Sequence, residues 1–86
     1  MTRTAKPGAL GPDGFVRSPD DEHKLNRLFA VTFASEAGRE VLTYLRKITI
    51  EAVHGPNVQP HELMHREGMR YLVGIIEQRI ARGHHV

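Results

Sequence analysis

The residues best placed to do chemistry are His61-Glu62-Leu63-Met64-His65. Two histidines at i and i+4 of a helix put both imidazoles on one metal ion, with the glutamate between them as general base. The string continues as Arg66-Glu67-Gly68, which meets the long metzincin-like pattern as far as its glycine. Where that pattern needs a third histidine, this chain has Tyr71. A catalytic zinc takes three protein ligands and one open position, so the set is one ligand short. Glu77 lies about 18 Å further along the same helix, too far to complete it. The helical period runs on without a break from Met69 to Arg82, so no later ligand swings back. No sheet is expected that would bind a substrate strand. The sequence therefore predicts no enzyme activity, no catalytic residue and no cofactor. His61 and His65 remain weak metal candidates, with His84 or His85 as further donors between subunits.

No other catalytic arrangement has a local signature. With no cysteine among 86 residues, disulfides, thiolate metal sites and thiol catalysis are excluded. The cluster Asp20-Asp21-Glu22 reads as negative charge at a helix N-terminus rather than as a cation site. The formal net charge of +2 sits unevenly. Residues 1–17 carry Arg3, Lys6 and Arg17 against Asp13 alone, and the remainder balances nine basic with nine acidic side chains. That pattern lacks the one-sided basic field of a dedicated nucleic-acid binder. No apolar run approaches the roughly 20 residues of a membrane span, so no membrane partner is expected.

The positioning elements follow from periodicity and caps. Residues 1–17, with three glycines and two prolines, predict an extended or disordered arm. Its candidate contacts are Arg3, Lys6, Phe15 and Arg17. Residues 18–86 form one small helical domain in this reading. A first helix over about 18–33 starts at Ser18-Pro19 and lines up Leu25, Leu28, Phe29, Thr32 and Phe33. Ser35 caps a second helix over about 35–53, whose apolar face is Ala37, Val41, Leu42, Leu45, Ile48 and Ala52. Gly38 in its first turns admits either a close backbone approach or a tolerated glycine. Gly55 and Pro56 then stop the chain. A long third helix over about 60–82, ended by Gly83, carries the stripe Gly68, Leu72, Ile75, Ile76 and Arg79. The fold class is all-α: three helices, the last one long, with an N-terminal arm.

Residues 28–82 resemble a family of short tailed-phage and prophage proteins first described from a Bordetella phage. The resemblance rests on Phe29 and Phe33, on Ser35, Gly38, Val41, Leu42 and Leu45, and on Glu67, Gly68 and Arg70 ahead of Leu72, Val73, Ile75 and Ile76. It covers about two thirds of the chain. It implies a non-enzymatic virion or morphogenesis protein, found in the particle and in the host cytoplasm during assembly. The implied partners are other phage structural proteins or further copies of the chain. Apolar faces on all three helices, with few residues to cover them, point to self-association or docking on a head or connector assembly. The alternative is a small DNA-binding phage protein, for packaging or regulation, with weak nucleic-acid contact through the basic arm. A zinc hydrolase stands third.

Overall fold

A computed structural model describes residues 8–84. The order is β1 (Ala9–Leu10), β2 (Val16–Arg17), α1 (Pro19–Thr32), α2 (Glu36–Ile48) and α3 (Pro60–Gly83). The fold is three helices with a long C-terminal one and a short N-terminal arm.

Over its described part the arm is folded back rather than extended. Strands β1 and β2 pair antiparallel, Ala9 with Arg17 and Leu10 with Val16. The turn holds Asp13-Gly14, a strong short-range hairpin signal, and Gly14 takes a positive φ of 86°. The Asp13 carboxylate accepts the Phe15 N–H at 3.1 Å, which closes the turn. The arm residues Arg3 and Lys6 lie outside the described residues.

Helix α1 begins as its sequence dictates: the Ser18 hydroxyl accepts the Asp21 N–H and Pro19 occupies the first turn. At α2 the Ser35 hydroxyl accepts the Gly38 N–H at 2.9 Å. A Cβ on Gly38 would stand 2.3 Å from the Thr32 carbonyl oxygen and 2.8 Å from the Phe33 Cα. The close-approach reading of this glycine therefore holds, because the end of α1 turns tightly over the start of α2.

Helix α2 stops at Ile48, five residues short of the expected boundary at 53. The β-branched run Ile48-Thr49-Ile50 disfavours helix. The Thr49 hydroxyl donates back to the Leu45 carbonyl at 2.6 Å. Arg70 of α3 then donates to the carbonyls of Thr49 (3.1 Å) and Ile50 (2.9 Å). A side chain from a distant element thus caps the helix end.

Helices α1 and α3 pack directly on each other, whereas α2 is held to α3 mainly by long polar side chains. The shape is a plate of 58 × 36 × 14 Å. In so thin a body few side chains escape water, and among the described apolar residues only Ala30 and Val73 are buried.

Candidate interaction surface

The interior junction of the fold is polar. Arg79 keeps 1% of its surface exposed, Glu22 4% and Asn26 7%. The Arg79 guanidinium donates to both Glu22 oxygens (3.0 and 3.2 Å), to the Asn26 side-chain oxygen (2.9 Å) and to Asp13 (3.4 Å). Arg17 completes the cluster, donating to Asp13 at 2.6 Å and to Glu22 at 2.9 Å. Two guanidiniums face two carboxylates, so the cluster is neutral and each buried charge has a partner. The Arg17 guanidinium beside Asp13 holds that carboxyl well below its usual range, and Arg79, then Arg17, do the same for Glu22. Hairpin, α1 and α3 all meet here. Gly11 and Gly83 allow the approach: a Cβ on Gly11 would stand 2.7 Å from Glu22, and one on Gly83 would stand 2.4 Å from the Asn26 carbonyl oxygen.

A second set of polar ties holds the α2 end and the following loop. Arg66 donates to His54 Nδ1 at 2.9 Å, Arg70 caps α2, and Arg46 pairs with Glu77. Glu67 pairs with Arg70 at 3.4 Å, within α3.

This arrangement moves the apolar faces. The α1 residues buried against the rest of the chain are Glu22, Asn26 and Ala30, at i, i+4 and i+8. The expected stripe lies beside them: Leu25, Leu28, Phe29, Thr32 and Phe33 line a groove with no wall from another helix. Phe29 and Phe33 stack at 6.4 Å, half-buried, and Arg79 lies 5.9 Å from the Phe29 ring centre. On α2, Leu42 and Leu45 are half-buried while Val41 is 51% exposed. On α3 the expected stripe turns inward only toward its C-terminal end, at Ile75, Ile76 and Arg79. Val73 is buried, Ile75 and Ile76 are half-buried, and Leu72 is 58% exposed. Gly68 is exposed, with open space around it. Val41, Gly68 and Leu72 are therefore left largely exposed, and for the two on α3 the polar ties of Arg70, Glu77 and Arg79 set which side of the helix faces inward. Phe15 is exposed, with the Arg17 guanidinium 5.8 Å from its ring centre.

The His61–His65 string sits on the first turns of α3. Both histidines and Glu62 are exposed, and the depression they line with Arg66 and Met69 belongs to this helix alone. Among the described residues no three His, Cys, Asp or Glu side chains converge on a metal position. Tyr71, in the third-ligand position, donates its hydroxyl to the Pro12 carbonyl at 3.1 Å and so ties α3 to the hairpin turn. His84 is exposed, and His85 lies outside the described residues.

Sequence reasoning missed Asp13, Glu22, Asn26 and the burial of Arg79. One signal was available: Arg79 continues an apolar stripe, where a charged residue requires a buried partner. Among the described residues no helix is long and apolar enough to cross a membrane.

Residues 29–82 match a protein family described as Bbp19-like phage protein. Neither the curated proteins nor the solved structures returned a match.

Proposed function

The chain belongs to the Bbp19-like phage protein family, and on that premise we propose that it is a non-enzymatic virion or morphogenesis protein that self-associates or docks on a larger head or connector assembly. One observation carries this reading. The protomer is a 14 Å-thin plate with large apolar side chains exposed on every helix, including Leu28, Val31, Val41, Tyr44, Leu72 and Met64. Extended apolar surface of this kind marks interaction sites on proteins that otherwise cover it. The polar ties explain how such a plate keeps its shape without a large core.

The non-enzymatic part is supported by the string at His61, which lies on an open helix surface with no facing wall. The DNA-binding alternative gains nothing from the arm's Arg17, whose guanidinium is engaged by Asp13 and Glu22.

Sedimentation velocity over a wide concentration range, together with mass spectrometry of purified particles, tests the proposal. The expected result is a concentration-dependent oligomer and a fixed copy number in particles or assembly intermediates. A strictly monomeric chain absent from both would overturn it. Metal analysis of untagged protein tests the non-enzymatic part, and stoichiometric zinc lost on His61→Ala would overturn that.

A further inference from the structure

Helix α2 carries two apolar stripes, and the protomer uses one. Gly38, Leu42, Leu45 and Thr49 are half-buried or buried. Ala37, Val41, Tyr44 and Ile48 are exposed, with Val41 at 51%, Tyr44 at 60% and Ile48 at 45%. These four stand at i, i+4, i+7 and i+11, the 4-3-4 spacing of a coiled-coil seam. Val41 and Ile48 then occupy a positions, and Ala37 and Tyr44 occupy d positions. The g positions flanking the seam are Glu40 and Lys47. Both are exposed, and neither makes an ion pair among the described residues.

We propose that this face binds a second copy of the chain, α2 against α2 in antiparallel orientation. Charge placement selects both occupant and direction. Antiparallel pairing that sets Val41 against the partner's Tyr44 and Ala37 against the partner's Ile48 brings each g position beside a g position of the other helix. Glu40 then meets the partner's Lys47, and the two-fold axis repeats the contact. In a parallel pair, g faces e, so Glu40 would meet Leu45 and Lys47 would find no e position at all, because α2 ends at Ile48; neither would meet an opposite charge. The e positions Gly38 and Leu45 turn toward the protomer's own body, so one side of the seam is already lined.

This inference rests on the self-association reading and names its surface and partner. A helix of 13 residues offers less than a standard interface, so the dimer formed by this face alone is weak, in the micromolar range.

The test is charge exchange on the full chain, read by sedimentation equilibrium, with circular dichroism to verify the fold. Lys47→Glu alone and Glu40→Lys alone each set like charges together twice. Each weakens the dimer on the order of tenfold at low salt. The double variant E40K/K47E restores wild-type affinity, and an equimolar mixture of the two single variants forms a heterodimer tighter than either homodimer. A wild-type chain that stays monomeric at several hundred micromolar overturns both this inference and self-association. An oligomer that ignores all of these changes overturns this inference alone, since another surface then holds the copies together.

Discussion

The Arg79 guanidinium grips both oxygens of the Glu22 carboxylate, at 3.0 and 3.2 Å, with almost no surface of either residue exposed. The pair joins residues 57 positions apart and fixes how α3 lies on α1.

Removing one partner unbalances the cluster: without Arg79 the carboxylates of Asp13 and Glu22 share Arg17 alone, and without Glu22 both guanidiniums share Asp13. Arg79→Ala and Glu22→Ala each lower the unfolding free energy by about 3–5 kcal/mol, a large part of the total for a small domain. The double variant Glu22→Leu/Arg79→Met leaves no unpaired charge between them and costs less than either single alanine. Urea unfolding of the set checks the order; a double variant as unstable as the worse single one would show that the ion pair itself is needed.

Acid weakens the same cluster. Both Asp13 and Glu22 have folded-state pKa values below their unfolded ones. Their contribution is therefore complete above the unfolded value of about 4 and is lost as pH falls through the depressed folded values. The melting temperature should hold level from neutral pH to about 5 and drop below about 4, with part of the drop removed in Glu22→Gln, which cannot titrate. Thermal melts across that range check it.

Arg70 should act as a remote helix cap. Arg70→Ala leaves the Thr49 and Ile50 carbonyls without their donor and costs about 1–3 kcal/mol. The loss is local, so amide exchange should quicken first at the end of α2 and in the loop to Pro60. Unchanged exchange there would contradict the capping role.

The glycines divide by surroundings. Gly38→Ala and Gly83→Ala drive a Cβ into backbone at 2.3 and 2.4 Å and destabilise the protein. Gly68→Ala and Gly74→Ala meet open space within α3 and stabilise it by about 0.5–1 kcal/mol each. Thermal unfolding of the four variants distinguishes the pairs by sign.

The sequence alone determined the helices, because caps and periodicity are local. Ser18-Pro19, Ser35, Pro60 and Gly83 mark their bounds to within a residue or two, whereas the Gly55-Pro56 stop does not, since α2 ends at Ile48. That end depends on Arg70, which lies on another element and leaves no trace in the local pattern. The hairpin is not read from the sequence: Asp13-Gly14 is its one local signal, but glycine and proline content points to an extended or disordered arm. Tertiary structure decided which faces turn inward. Periodicity marks an apolar stripe but does not say what covers it. Here Glu22, Asn26 and Arg79 form the junction, the stripe at Leu25–Phe33 is only half covered, and those at Val41–Ile48 and Leu72 are left at the surface. A buried bidentate ion pair fixes orientation more sharply than apolar contact, which is non-directional. The sharpest motif, His61 to His65, lay in the first turns of a helix that other residues hold in place.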